Sequence, residues 1–363
     1  MTSVHQFVPT LAPRDAVGGH YLAVRDALRD AGYSSEIYAF EAKDAYKKLA
    51  LPFRSFEGGR PGEATWLVYH SSIGSPVADF VLGRREPVIV DYHNITPSSF
   101  FARWEPYVAG QLAVGRRQLA KLAVRAELGL ADSAYNAREL HELDYERVAV
   151  VPILFDTSSL GATEPDPALL DRLRAAKNRG GADWLFVGRI SPNKAQHDLV
   201  KAFAAYREHR DPQARLHLVG GTSSHAYVTA LEKFVTALEL DDAVEITGAV
   251  SEEAKHAYYE AADLFVICSE HEGFCVPLLE AMHHRVPIVA YAAAAVPETL
   301  GTGGLCLPVK DPLTVAAAAA RVIGDAGLRA ALTAAGTARL ADFDLASSRE
   351  RLVAAVRGVV GPA

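Results

Sequence analysis

Cysteine is scarce in this chain of 363 residues: Cys268, Cys275 and Cys306 are the whole supply. Two of the three fall in or beside apolar runs, so no disulfide framework is expected and a reducing compartment, the cytoplasm, is. Positive charge is not in surplus either. Lysine and arginine number 37 against 44 aspartates and glutamates, for a net charge of −7 and a pI near 6.0. That balance argues against a general nucleic-acid binder. No apolar run reaches the ~18 residues of a membrane-spanning helix. Met1 to Phe7 lacks the basic start and long apolar core of a secretory signal. Half of the residues are nevertheless hydrophobic, enough for two domains, each with its own core.

Several cofactor signatures are missing as well. Gly18-Gly19 lacks the G-x-G-x-x-G pattern of a dinucleotide fingerprint, and Gly301-Thr302-Gly303-Gly304 follows no suitable strand. There is no Walker A sequence, and no His/Cys cluster has zinc spacing. One Asp-x-Asp triplet, Asp342-Phe343-Asp344, lies between two C-terminal helices and reads as a helix boundary, not as a metal-nucleotide clamp. The expectation is therefore no cofactor and no metal.

What is present concentrates in Cys268 to Met282. The run Ala262 to Ile267 ahead of it has the apolar character of a buried parallel strand. Pro277 behind it suits the first turn of a helix, where proline loses no hydrogen bond. Glu272 thus falls in a loop and Glu280 about one turn into a helix. The N–H groups at that helix start favour an anion, typically phosphate. Two carboxylates beside a phosphate repel it unless they bind neutral hydroxyls, so a ligand with both phosphate and sugar hydroxyls satisfies the stretch. Taken alone, two glutamates at a helix start simply suit its dipole.

Read in order, the first half alternates strands and helices. Val4 to Val8 is a strand, Pro9 to Gly19 a loop ending in Gly18-Gly19, and His20 to Ala31 a helix stopped by Gly32. Strands follow at Glu36–Phe40, Trp66–His70 and Pro87–Asn94, so that His70 and His93 fall at carboxyl ends, where ligands gather in open α/β sheets. Capping or packing is the plainer role for each. A long helix is expected from Tyr107 to Leu128, with Arg117, Lys121 and Arg125 on one face. The plainer reading of that stripe is a solvated face. The sharper one is peripheral contact with anionic lipid, or with a lipid-linked diphosphate acceptor, at the inner face of a membrane. Val148 to Ile153 closes this half, and residues 156–180, rich in Ser, Gly, Pro and charge, read as a linker.

In the second half, Trp184 to Ile190 is a strand running into a loop that carries Arg189 and Lys194, and then a helix. Either cation alone could be a solvated surface charge. Placed together at a strand's carboxyl end, they suit a diphosphate. Further strands are expected at Arg215–Gly221, Val244–Val250 and Val286–Tyr291, and helices at 227–238, 254–261, 312–323 and 346–359.

The segment Glu272 to Glu280, with Gly273-Phe274 and Pro277 in place, resembles the E-x7-E motif of the retaining family 4 glycosyltransferases. The resemblance covers the second half well and the first half loosely. It implies an α/β chain of GT-B fold, with two Rossmann-like domains facing a central cleft. Residues 1–157 would form the acceptor-side domain and 158–345 the nucleotide-sugar domain, the helix 346–363 packing back on the first. It implies a retaining, metal-independent hexosyl transfer from a UDP- or GDP-sugar to a hydroxyl of a glycan, lipid-linked or small-molecule acceptor, in glycan, glycolipid or secondary-metabolite biosynthesis. Arg189 and Lys194 match the family's diphosphate-binding pair, and Gly188 belongs to the same loop. Glu272 matches the carboxylate that holds donor sugar hydroxyls, and Glu280 the one on the ribose diol. Gly273, Phe274, Cys275 and Val276 would supply backbone to the phosphates, and the backbone near Val250 a wall for the base. His93 would reach the donor sugar, and Gly18 and Gly19 would lie in a loop near donor or acceptor. The competing class is a GT-B protein that binds a nucleotide sugar without transferring it, an epimerase or a sensor. Product formation with a supplied acceptor separates the two.

Overall fold

The computed structural model describes residues 2–12, 16–59 and 62–363. The chain divides into two compact units. Unit 1 comprises Met1–Ala102, Pro106–Asp156 and Phe343–Ala363, and unit 2 comprises Arg103–Glu105 and Thr157–Asp342.

Unit 1 carries a seven-stranded sheet built from β1 (Ser3–Leu11), β2 (Ile37–Ala42), β3 (Leu51–Pro52), β4 (Thr65–Ser71), β5 (Val88–Tyr92), β6 (Ala126–Ala131) and β7 (Val148–Val150). Its order is β3-β2-β1-β4-β5-β6-β7, and every pairing is parallel. The helices are α1 (Ala16–Asp30), α2 (Pro76–Leu82), α3 (Pro106–Ala123) and α4 (Ala134–Glu142). Parallel strands covered on both faces should be apolar on both, and they are. Along β4 and β5, Leu67, Tyr69, Val88, Val90 and Tyr92 enter one core while Val68 and Ile89 enter the other.

Unit 2 has a six-stranded parallel sheet of order β10-β9-β8-β11-β12-β13. Its strands are β8 (Asp183–Val187), β9 (Arg215–Val219), β10 (Val244–Gly248), β11 (Leu264–Ile267), β12 (Ile288–Tyr291) and β13 (Leu305–Leu307). Its helices are α5 (Pro167–Lys177), α6 (Gln196–His209), α7 (His225–Ala237), α8 (Glu252–Ala261), α9 (Val276–His283), α10 (Val296–Leu300), α11 (Pro312–Gly324) and α12 (Ala326–Leu340). Trp184, fully buried, anchors the core against Phe203 and Tyr206, with ring centroids 5.6 and 4.9 Å away. The last helix, α13 (Leu345–Val360), belongs to unit 1. Its Leu352 and Val356 enter the same core as Val24 and Leu28 of α1, and the Tyr33 hydroxyl donates to the Gly361 carbonyl at 2.5 Å.

Three local expectations need correction. α1 starts at Ala16, so Gly18 and Gly19 lie in its first turn and not in the loop before it. A Cβ on Gly18 would stand 2.6 Å from the Ala12 carbonyl oxygen, so glycine there lets the incoming chain cross the helix start. Residues 13–15 of the expected loop fall outside the described residues. The long helix ends at Ala123, because the chain from Ala126 pairs with β5 as β6 and takes Leu128 with it. Arg125 sits in the turn between them, and its guanidinium donates to the carbonyls of Leu82, Arg84 and Glu86 at 3.3, 2.7 and 3.1 Å. The cationic stripe is thus reduced to exposed Arg117 and Lys121. Finally, the supposed linker contains α5, capped where the Asp166 side chain accepts from the Leu169 N–H at 3.0 Å and anchored by buried Leu170 and Leu173.

Candidate functional site

In unit 2 the strand order reverses between β8 and β11, and ligands of open α/β sheets bind outside the carboxyl ends of strands at that switch. The chain leaving β8 passes Gly188 and Arg189, makes a short 3₁₀ turn at Pro192–Lys194 and enters α6 through Ala195 in the left-handed region (φ 50°). A Cβ on Gly220, itself at φ 149°, would come within 2.0 Å of the Gly188 carbonyl oxygen. Glycine at 220 therefore lets the exits of β8 and β9 close on each other.

The loop leaving β11 is pinned by this neighbour. The Glu270 N–H donates to the Asn193 carbonyl at 2.9 Å, and the Asn193 side-chain amide donates to the His271 carbonyl at 3.3 Å. From the other side, the Ala295 N–H donates to the Glu272 carbonyl at 3.2 Å and the Thr299 hydroxyl to the Phe274 carbonyl at 2.5 Å. Cys275 enters α9 with φ 77°, a strained conformation for a residue with a Cβ. Pro277 lies in the first turn, and no side chain caps the helix start. The amides of Cys275 and Val276 thus stand at a helix N-terminus with an anion's preference built in. Gly273 and Phe274 complete the turn. Val250 is half-buried in the turn between Gly248 (φ 69°) and Ser251, whose hydroxyl caps α8 by accepting from the Ala254 N–H at 3.2 Å.

Charge at the site is paired. The Lys194 ammonium lies 2.5 Å from the Glu272 carboxylate, with both side chains mostly buried. The buried Glu280 carboxylate accepts from Lys255 at 2.6 Å and from the Tyr259 hydroxyl at 2.9 Å. Burial works against the Lys255 charge, but Glu280 and Glu252 outweigh it and raise its pKa. Lys310 bridges Asp198 and Glu270 at 2.5 and 2.7 Å. Arg189 differs. It is exposed, and among the described residues its guanidinium has no carboxylate partner. The two nearby thiols are poor nucleophiles: burial pushes Cys268 up to about 12, and burial together with Glu272 raises Cys275 well above its ordinary value.

Thus Gly188, Arg189, Lys194, Val250, Glu272 to Val276 and Glu280 all gather at the carboxyl side of the unit 2 sheet. Lys255 and Lys310 were missed by sequence reasoning. Lys310 meets Asp198 across 112 residues, and the only local signal for Lys255 was Glu252 three residues earlier.

The remaining expected residues belong to unit 1. His93 follows β5, and its ring is fully buried. Its Nδ1 lies 3.1 Å from both Asp132 carboxylate oxygens, and its Nε2 lies 2.9 Å from His70 Nδ1. The ring presents no nitrogen to solvent. His20, His70, Asp91 and His93 offer ligand atoms within 4.8 Å of one another, a buried group that could hold a metal ion. No metal spacing in the sequence announces it. Asp342 and Asp344 are spent locally, on Arg339 at 2.6 Å and on the Ser347 N–H at 3.0 Å.

Comparison with known proteins agrees with this geometry. Residues 171–339 match the family described as Glycosyl transferases group 1. The chain is 29% identical to the D-inositol 3-phosphate glycosyltransferase of Frankia alni, over 71% of this chain and 64% of that protein. It is 31% identical to the protein of the same name from Kineococcus radiotolerans, over 70% of this chain and 61% of the relative. It therefore spans less than two thirds of the length of these curated relatives. Among solved structures, Anabaena HepE in complex with UDP and glucose superposes with a TM-score of 0.73 at 18% identity, over 98% of this chain and 100% of that one. Sucrose-phosphate synthase from Thermosynechococcus elongatus superposes with a TM-score of 0.75 at 17% identity, over 99% and 100%. These likenesses establish the GT-B fold. The group 1 match places residues 171–339 among the group 1 glycosyl transferases, and with the E-x7-E stretch the chain as a whole is similar to the family 4 glycosyltransferases.

Proposed function

We propose that this protein transfers a hexose-type sugar from a UDP- or GDP-linked donor to a hydroxyl acceptor, keeping the anomeric configuration and using no metal ion on the donor diphosphate. The Lys194–Glu272 pair, 2.5 Å apart beside the uncapped start of α9, carries the reading. A diphosphate offered to Lys194 takes over from the carboxylate as its partner. Sugar hydroxyls offered to Glu272 take over from the ammonium as its donors. One molecule bearing both groups satisfies both residues, and a nucleotide sugar is such a molecule. The similarity to HepE, solved with UDP and glucose, supports that ligand class.

The chemistry follows from the same groups. As the bond from the anomeric carbon to the diphosphate oxygen breaks, charge grows on the leaving phosphate. Lys194, Arg189 and the amides at the start of α9 are arranged to take it up. Glu280, oriented by Lys255 and Tyr259, accepts from the ribose diol. The acceptor hydroxyl enters on the face the phosphate leaves and passes its proton to that phosphate. Protonated Cys268 and Cys275 and a lysine-paired Glu272 offer no strong side-chain nucleophile. That supports a route without a covalent intermediate. The acceptor is a glycan, a lipid-linked sugar or a small molecule, and exposed Arg117 and Lys121 suit the anionic surface of the second. No helix among the described residues is long and apolar enough to cross a membrane.

The test is a thermal-shift panel of UDP-, GDP- and ADP-sugars, followed by transfer assays with the donor that stabilises. A matching donor at 100 times its Kd adds ~2.7 kcal/mol. Product should form during brief exposure to excess EDTA, with the donor's anomeric configuration in its proton spectrum. Loss of transfer restored at once by magnesium or manganese would place a metal on the diphosphate. An inverted linkage would remove the same-face route. A stabilising donor that yields no product with any acceptor would leave binding without transfer.

A further inference from the structure

Three segments leave the carboxyl side of the unit 2 sheet close together, and one ammonium joins all of them. Lys310 follows β13, and its Nζ lies 2.5 Å from Asp198 Oδ2 and 2.7 Å from Glu270 Oε1. Asp198 sits in the first turn of α6, four positions after Lys194. Glu270 sits in the loop after β11, two positions before Glu272. Each anchor thus stands beside one member of the Lys194–Glu272 pair. The Lys310 side chain is mostly buried, and its nitrogen lies 5.7 Å from the centre of the Tyr291 ring at the end of β12. Burial works against its charge, but hydrogen bonds to Asp198 and Glu270 outweigh burial and raise its pKa. Among the described residues, no other cation is within ion-pair distance of Glu270. Lys201 also pairs with Asp198, at 2.9 Å, but both belong to α6 and their contact ties no loops together.

We propose that Lys310 is a positioning residue for sugar transfer, holding the segments of Lys194 and Glu272 in register once the donor has come between those two side chains. The role rests on the transfer reading above, in which diphosphate replaces Glu272 as the partner of Lys194 and sugar hydroxyls replace Lys194 as donors to Glu272. In the free protein, ion pairs join the two segments twice: directly by Lys194–Glu272 at 2.5 Å, and indirectly through Lys310. Donor binding dissolves the direct pair and leaves the indirect one. The Asp198–Lys310–Glu270 bridge, with the backbone contacts of Asn193 to Glu270 and His271, then sets the spacing between the cation on the phosphate and the carboxylate on the sugar. Charge gives the bridge a second purpose. Two carboxylate oxygens held by one ammonium at these distances lie within about 5 Å of each other. Without the ammonium they repel, and the repulsion drives apart the segments that carry Lys194 and Glu272.

The experiment is steady-state transfer with the identified donor. Lys310→Met keeps the apolar stem and removes the charge, and it should lower kcat ~10–100-fold, the scale of a small misplacement of reacting groups. Donor KM should rise far less, because every group that touches the donor is still present. Lys310→Arg keeps a cation able to span both carboxylates and should recover most of the lost turnover. Glu270→Gln cuts the same bridge from its other end and should lower kcat in the same direction, which decides the matter if Lys310→Met does not fold. Hydrogen exchange of the ligand-free protein tests the tie without any transfer. Lys194→Met removes the direct pair, and adding Lys310→Met to it should speed labelling of residues 189–195 and 268–275 about tenfold beyond Lys194→Met alone, with α7 unchanged. Near-normal kcat in Lys310→Met, an equal loss in Lys310→Arg, or labelling in the double variant no faster than in Lys194→Met would each overturn the proposal. Wild-type protein that transfers no sugar would defeat the transfer reading instead, and the labelling would still decide whether Lys310 ties the two segments.

Discussion

Lys194 is the residue on which the proposed chemistry turns, because its ammonium is held against Glu272 at the mouth of β8 and β11. Its attraction for the leaving diphosphate grows toward the transition state, so its loss should cost more in rate than in donor binding. We expect Lys194→Met to lower kcat/KM by ~10²–10³, the size seen on removing one stabilising donor. Arg189→Met should be comparable, and the double variant less than additive because both act on one developing charge. Lys201→Met, which removes an exposed ammonium paired with Asp198 on α6, should change little. Steady-state kinetics with the identified donor checks all four. If Lys194→Met and Arg189→Met both keep near-normal turnover, the diphosphate does not bind at these strand ends. At this scale the sequence was most legible where partners are local. Glu272 and Glu280 are eight positions apart, and Arg189 and Lys194 five. Lys310 and the buried histidines were illegible for the opposite reason: Lys310 meets Asp198 across 112 residues, and His20 meets Asp91 across 71. Spacing rules see neither.

Among the elements, the strands of unit 2 carry a charged cluster of their own. His217 of β9 is gripped by Asp183 of β8 at 3.2 Å and by Glu245 of β10 at 2.9 Å. Burial disfavours its charge, but hydrogen bonds to the two carboxylates outweigh burial and raise its pKa above the ordinary value. A raised histidine stabilises the folded state most below its unfolded value near 6.5, and the contribution disappears as pH rises through the folded value. His217→Gln should therefore cost about 1.5–3 kcal/mol at pH 6, the worth of hydrogen bonds to a charged group, and distinctly less at pH 9. Denaturant titrations at the two pH values check the sign, and an equal loss at both would show that His217 is held neutral. Element boundaries were the least legible part of the sequence. α3 stops at Ala123, although the apolar and cationic positions run on at helical spacing, because the next residues find a better partner in the β5 edge. Tertiary pairing overrode local periodicity there. At α5 the reverse held: Asp166 and Pro167 were a readable helix start, masked by the surrounding polar composition.

For the whole molecule, the decisive element is the last one. α13 lies in the unit 1 core, with Leu352 1% exposed against α1. Leu352→Ala should cost about 2–5 kcal/mol, as for other buried leucines. Hydrogen exchange should register the loss as faster labelling of α1 and β1, with β8 and α6 unchanged. Uniform acceleration in both units would mean that the two unfold as one. The division of the chain also bears on its synthesis. Unit 2 occupies one nearly continuous stretch, Thr157–Asp342, whereas unit 1 begins at the N-terminus and is finished only by Phe343–Ala363. A domain made in one piece can fold as it leaves the ribosome. The earlier-made sheet must wait with one flank uncovered until the final helix has been translated. The first-translated half should thus be the last to acquire its native protection, and a ribosome stalled before α13 should hold a folded unit 2 beside a chaperone-accessible unit 1.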